Sequence, residues 1–168
     1  MKSNTRKILE TVGILSVVAS LLFVGMQLLL DRRIATSEQY QNRAESRKSD
    51  FRAMLESDGY MAYETERWES GIRPSWWTDE LKVNAEREGL SSTSIVASIL
   101  SDRMSLVHFD NLYYQYNQGM LDEEFWQGVL GLLETQMSTN PQVRAIWLNA
   151  RLRRPIADLL EKLDEAAN

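Results

Sequence analysis

The stretch that decides the fold is VGILSVVASLLFVGMQLLL, residues 12–30, in which nineteen successive residues carry no charge. At a rise of about 1.5 Å per residue, a helix of this length spans roughly 28 Å, close to the hydrocarbon thickness of a bilayer. The segment is too long for the core of a cleaved signal peptide, and no Ala-x-Ala site follows it. The sequence therefore predicts a transmembrane helix. Basic residues flank it on both sides, at Lys2, Arg6, Lys7, Arg32 and Arg33.

The small and polar residues of this segment share one side of the predicted helix. At 100° per residue, four of them fall within an arc of about 60°. They are Gly13, Ser16, Ser20 and Gln27. Small residues allow helix backbones to approach closely, and a glutamine amide in hydrocarbon gains about 0.5–2 kcal/mol from an interhelical hydrogen bond. This pattern predicts a helix–helix contact, in a homo-oligomer or with another membrane protein.

Two alternatives for the same face remain open. The serines could bond to the carbonyls of their own helix while Gln27 extends towards the membrane interface. Several copies could instead line a pore with this face, although the segment contains no charged residue that would give a selectivity signature.

Composition limits what the rest of the chain can do. The formal net charge is −5, so the chain lacks the basic character of a nucleic-acid-binding domain. It contains no cysteine, which excludes disulfides, thiol catalysis and cysteine-ligated metals. Residues 31–168 are polar and long enough for one modest hydrophobic core.

The predicted fold class is all-α, with a transmembrane helix that continues into a stalk and is followed by a small helical bundle. Residues 31–56 contain neither glycine nor proline, which favours continuation of the helix. No later stretch alternates as a strand would. The expected organisation is a basic flank at 1–11, the transmembrane helix at 12–30, the stalk at 31–56 and the bundle at 60–168.

Capping residues and prolines predict where the helices of the bundle begin and end. A short helix is expected over Tyr60–Glu69, and a second one over Leu81–Glu88. A long helix with a broad apolar face is expected from Ser91–Ser94 to about Gln118. Further helices are expected to begin at Asp122, at Asn140-Pro141 and at Pro155.

Three segments carry a resemblance to a known group. They are SLLFVGMQL at 20–28, FDNLYYQYNQGMLDEEFW at 109–126 and NPQVRAIWLNAR at 140–151. They resemble a widespread family of uncharacterised small bacterial membrane proteins, which have a YYQYxxGxLDEExW segment and a late Pro-x-x-Arg-x-x-Trp. The resemblance implies the same architecture in the bacterial inner membrane and, from the charge pattern of the relatives, a cytoplasmic domain. It implies no activity, and residues 152–156 lack the aromatic-rich segment common in relatives.

No residue set predicts catalysis. The single histidine, His108, has Met104 and Leu112 one turn away and therefore no partner for a general base or a metal ligand. The P-loop, Gly-x-Ser-x-Gly and dinucleotide-binding motifs are absent. We therefore predict a protein that is not an enzyme and that uses no cofactor and no metal.

Three groups outside the apolar segment are candidate binding residues. Trp76 and Trp77 are adjacent, so one ring is predicted to be exposed as a docking point. The arginines near the end form a basic patch that either contacts lipid head groups or pairs with acidic side chains; they are Arg144, Arg151, Arg153 and Arg154. A set of aromatic residues either builds the core or lines a ligand pocket; its members are Tyr113, Tyr114, Tyr116, Trp126 and Trp147.

The sequence thus favours a single-span membrane protein that acts as an interaction, regulatory or structural subunit. Its expected partners are the lipid bilayer and either a second copy or another membrane protein. An oligomeric channel is the second interpretation, and a membrane-tethered ligand sensor is the third.

Overall fold

The computed structural model describes residues 2–150 and 154–166, with the side chains of residues 10–150 and 156–166. Over these residues the chain forms seven α-helices and no strand, which confirms the all-α prediction. By its internal contacts the chain divides into two units, residues 1–39 and residues 40–168. The helices are α1 (Lys2–Glu56), α2 (Asp58–Glu69), α3 (Asp79–Arg87), α4 (Ser92–Asn117), α5 (Glu123–Thr139), α6 (Pro141–Asn149) and α7 (Arg154–Ala166).

Helix α1 runs without interruption over 55 residues, so the apolar segment continues directly into the predicted stalk. At about 1.5 Å per residue its length is roughly 80 Å. Within it, Glu10–Glu56 contains a stretch that is long and apolar enough to span a membrane. The boundary between the two units falls after Gln39, inside the predicted stalk, so residues 40–56 belong with the bundle.

Helix α4 is the centre of the second unit and packs against α2, α5 and α6. Its predicted apolar face is buried at Ile95, Ile99 and Leu106. Helices α5, α6 and α7 complete the core with side chains that are at most 2% exposed, including Leu133, Ile146, Trp147, Ile156 and Leu160. The burial of these α4 residues agrees with the apolar face predicted for the long helix.

Side-chain caps set the starts of helices α2 to α6. In each helix a side-chain oxygen at the N-cap accepts a hydrogen bond from a backbone N–H three residues later. The capping residues are Ser57, Thr78, Ser91, Asp122 and Asn140. Because Ser57 is a cap, α2 begins at Asp58 and not at Tyr60. Three of the helices are followed by a glycine with positive φ, at Gly71, Gly89 and Gly119.

Candidate functional site

The apolar segment of α1 is exposed along its whole length. Every side chain from Val12 to Leu30 lies at the surface of the chain, and Leu21 and Met26 are 67% and 70% exposed. Monomeric soluble proteins rarely expose a continuous apolar surface of this size. An apolar helix of this length is long enough to span a membrane.

The four small and polar residues of the segment lie on one side of α1, because the backbone is helical throughout. Ser16 Oγ donates a hydrogen bond to the Val12 carbonyl oxygen at 2.8 Å, so this hydroxyl is satisfied within its own helix. A Cβ atom at Gly13 would meet nothing within 4 Å, which leaves its backbone open to close approach. The Gln27 amide makes no hydrogen bond to any side chain or carbonyl that the structure describes.

These observations rank the four residues. Ser16 follows the alternative in which a serine bonds to its own helix. The Gln27 amide is the group that lacks a hydrogen bond. Transfer of an amide into hydrocarbon costs on the order of 2–7 kcal/mol unless it forms a hydrogen bond there. The role of Gly13, Ser16, Ser20 and Gln27 in a helix–helix contact stays a prediction.

A buried polar cluster joins α1 to α4 within the second unit. The Tyr40 hydroxyl donates a hydrogen bond to an Asp110 carboxylate oxygen, and the Tyr40 ring stacks on Tyr114 with centroids 4.0 Å apart. Asp110 and Asn111 are only 9% and 7% exposed. Asn111 Oδ1 has no hydrogen-bond partner among the described residues. This cluster fixes residues 40–44 of α1 against α4, and no local sequence pattern indicates it, because Tyr40 and Asp110 are 70 residues apart.

A second polar site lies at a cavity of about 440 Å³ bordered by α3, α4 and α6. Gln142 Nε2 donates hydrogen bonds to Asp102 Oδ2 at 2.9 Å and to Ser98 Oγ at 2.8 Å. Trp147 Nε1 donates to the Asp102 carbonyl oxygen at 3.1 Å. Burial raises the pKa of the Asp102 carboxyl, and the hydrogen bond from Gln142 opposes this shift only in part.

The Asp102 site gives a testable pH dependence. A carboxyl whose pKa is raised on folding stabilises the fold at low pH, and this contribution is lost as the pH rises through the pKa of the folded protein. We expect Asp102→Asn to raise the stability at pH 7 and to leave it nearly unchanged at pH 3, because the amide oxygen still accepts from Gln142. Urea unfolding of the full chain at both pH values measures the difference. Glu161→Gln, at an exposed position of α7, is the control. If Asp102→Asn changed the free energy of unfolding equally at both pH values, the raised pKa of Asp102 would be contradicted.

The aromatic residues pack on one another or against the core. The Tyr116 and Trp126 rings stack with centroids 4.8 Å apart, and Tyr113 lies 5.3 Å from Trp126. Phe109 meets Trp147 edge to face at 5.4 Å. Of the two alternatives from the sequence, packing is the one that the structure supports. A ligand pocket lined by these residues stays a prediction.

The prediction that one of the two adjacent tryptophans is exposed is wrong. Trp76 and Trp77 are both half-buried and pack against the core. They lie in the turn between α2 and α3. Adjacent side chains on a helix point 100° apart, but the backbone of this turn is not helical, so both rings can face the core. Trp77 meets Trp68 edge to face at 4.7 Å, and its Nε1 is buried without a hydrogen-bond partner in the described part of the chain.

The predicted basic patch is described only in part. Arg144 is half-buried and forms an ion pair with Asp164, which raises the pKa of its guanidinium. This pairing is the alternative to lipid contact that the sequence left open. Arg151 and Arg153 lie outside the described residues, and Arg154 begins α7 with its side chain outside them.

His108 is exposed on α4. Partial desolvation of its ring and the nearby Lys48 ammonium lower its pKa, and Glu45 opposes them. Among the described residues no group of three or more histidine, aspartate or glutamate side chains is placed to hold a metal ion.

Comparisons of the chain with protein-family models, with curated proteins and with solved structures give no match. The resemblance to the family of small bacterial membrane proteins therefore stays a prediction.

Proposed function

We propose that the chain is a non-enzymatic, single-span membrane protein that self-associates through the Gly13, Ser16, Ser20 and Gln27 face and acts as an interaction or structural subunit. The observation that carries the proposal is the Gln27 amide, which has no partner within the described chain and stands in an exposed apolar helix. A second copy supplies the same amide at the same depth, so each Gln27 can donate to the other.

The membrane in this proposal is the bacterial inner membrane, with the second unit in the cytoplasm. The sequence resemblance supports the location. The orientation rests on the charge pattern of the similar family, in which basic residues follow the span, because lysine and arginine near a span favour the cytoplasmic side. The basic residues of this chain lie on both sides of the segment and do not decide its orientation.

Gln27→Leu tests the proposal. Loss of an interhelical amide bond worth about 0.5–2 kcal/mol is expected to weaken self-association roughly 2- to 30-fold. The chain has no cysteine, so Glu161→Cys on α7 provides one labelling position. Förster transfer between donor- and acceptor-labelled full chains in lipid vesicles, at decreasing protein-to-lipid ratio, measures the change.

One matched variant completes this experiment. Met26→Leu changes the neighbouring side chain on a different side of the helix and is expected to associate like the unmodified chain. Equal association of Gln27→Leu and Met26→Leu would contradict the proposal.

Ion flux from the same vesicles separates this proposal from the channel interpretation. A purely structural or interaction subunit leaves the vesicles tight at every protein-to-lipid ratio. Flux that appears with the unmodified chain and disappears in Gln27→Leu would favour a pore lined by the same face.

A further inference from the structure

An apolar groove lies between α4 and α5 on the surface of the second unit. Its volume is about 720 Å³, and α4 contributes Phe109 and Leu112 to its walls. On α5, Phe125 and Leu132 border it and are 50% and 59% exposed. Large apolar side chains that are half-exposed next to each other mark an interaction surface more often than a lone exposed residue does.

The α5 side of this groove is a straight stripe. Phe125, Gly128 and Leu132 are spaced by three and four residues, so they lie on one face of the helix over about 10 Å. A Cβ atom at Gly128 would meet nothing within 4 Å, so the space between the two large side chains is open. The stripe therefore offers a gap between two apolar side chains, into which an apolar residue of a partner helix fits.

His108 also lines the groove, and burial and the nearby Lys48 lower its pKa, so the groove residues that are charged at pH 7 are acidic. Asp122 and Glu124, at the start of α5, line it and are exposed. No lysine or arginine is among its described lining residues. An anionic lipid surface would be repelled by this rim, whereas a basic partner is attracted to it.

We propose that this groove binds an amphipathic helix of a partner protein, whose apolar residues recur at a spacing of three and four and are flanked by lysine or arginine. Apolar side chains fill the gap over Gly128, and the basic residues pair with Glu124 and Asp122. This is the helix-in-groove mode of recognition. The inference goes beyond the proposed self-association and does not depend on it, because it uses no residue of the apolar segment.

Two designed peptides of 18 residues probe the groove. Both carry leucine at the same positions with a spacing of three and four, and their polar faces consist of lysine in one and glutamate in the other. The full chain is placed in nanodiscs of zwitterionic phosphatidylcholine, and binding is followed by fluorescence anisotropy against empty nanodiscs. We expect the lysine peptide to bind and the glutamate peptide to bind at least about tenfold more weakly.

Three exposed positions supply the variants. Leu132→Glu is expected to weaken binding of the lysine peptide by about tenfold or more, as loss of a central apolar contact does. Glu124→Lys is expected to weaken it several-fold through like-charge repulsion. The matched control is Val83→Glu on α3, where the side chain is also 59% exposed but lies away from the groove. Far-ultraviolet circular dichroism confirms that each variant is folded.

Four results would overturn the proposal. The first is that the lysine peptide binds Leu132→Glu and Val83→Glu with equal affinity. The second is that the lysine and glutamate peptides bind the unmodified chain with equal affinity. The third is that neither peptide binds more than it binds to empty nanodiscs. The fourth is that, without peptide, the nanodisc complex of Leu132→Glu has a lower mass than that of the unmodified chain. This would show that a second copy of the chain occupies the groove.

Discussion

Trp147→Ala is expected to lower the free energy of unfolding of the second unit by about 3–5 kcal/mol, the range for removal of a buried tryptophan or phenylalanine. Trp147 is only 2% exposed, and its ring packs against Phe109. Its Nε1 also donates to the Asp102 carbonyl oxygen, which would lose this donor. Domains of this size are stable by about 5–15 kcal/mol, so the variant should retain little of its stability.

Urea unfolding of the full chain in mild detergent, followed by tryptophan fluorescence, measures this loss. All five tryptophans lie between residues 68 and 147, so the signal of the remaining four still reports on the second unit. Leu148→Ala, at the neighbouring and partly exposed position, is the control and should cost less than about 1 kcal/mol. Trp147→Phe keeps most of the ring and should fall between the two. A loss below about 1 kcal/mol in Trp147→Ala would show that the α4–α6 contact is not the centre of the core.

Tyr40→Phe is expected to cost about 1–3 kcal/mol, because it removes one hydroxyl and leaves the buried Asp110 carboxylate without that donor. The phenyl ring can still stack on Tyr114, so the variant isolates the hydrogen bond from the aromatic contact. Tyr40→Ala removes both interactions and is expected to cost more. Tyr63→Phe, at a tyrosine that is 57% exposed, is the matched control and should change stability by less than about 0.5 kcal/mol.

A double-mutant cycle assigns the energy of the Tyr40–Asp110 pair. Unfolding of Tyr40→Phe, Asp110→Asn and the double variant is measured by the same fluorescence assay. Residues in direct contact are expected to show a coupling energy of about 0.5–3 kcal/mol. Additive effects would mean that the Tyr40 hydroxyl does not stabilise Asp110.

Local signals account for the part of the fold that the sequence predicts. Caps such as Thr78 and Asn140 act within three residues, so their pattern is readable without knowledge of the tertiary structure. The apolar periodicity of α4 and α5 likewise depends on helix geometry alone. The side on which the small and polar residues of α1 lie follows in the same way, once the segment is helical.

Partners that are distant in the chain account for most of what the sequence does not predict. Tyr40 meets Asp110 across 70 residues, and no pattern along one helix shows that a mid-helix aspartate is buried. Phe125 and Trp126 are adjacent aromatic residues that the sequence does not distinguish, but Trp126 is 4% exposed and Phe125 is 50% exposed. The turn that holds Trp76 and Trp77 is irregular, so helical spacing does not predict its side-chain directions.

Gly119 and Gly13 differ in whether the fold tolerates their substitution. Gly119 has φ of 70°, a conformation that other residues adopt at a cost of about 1–2 kcal/mol, so the fold alone should conserve it among homologues. Gly13 lies in a regular helix with open space around it, and the fold would tolerate alanine there. If homologues nevertheless keep glycine at this position, the selective pressure must come from a neighbouring molecule. Conservation of Gly13 among homologues would then indicate a contact of α1 with another molecule.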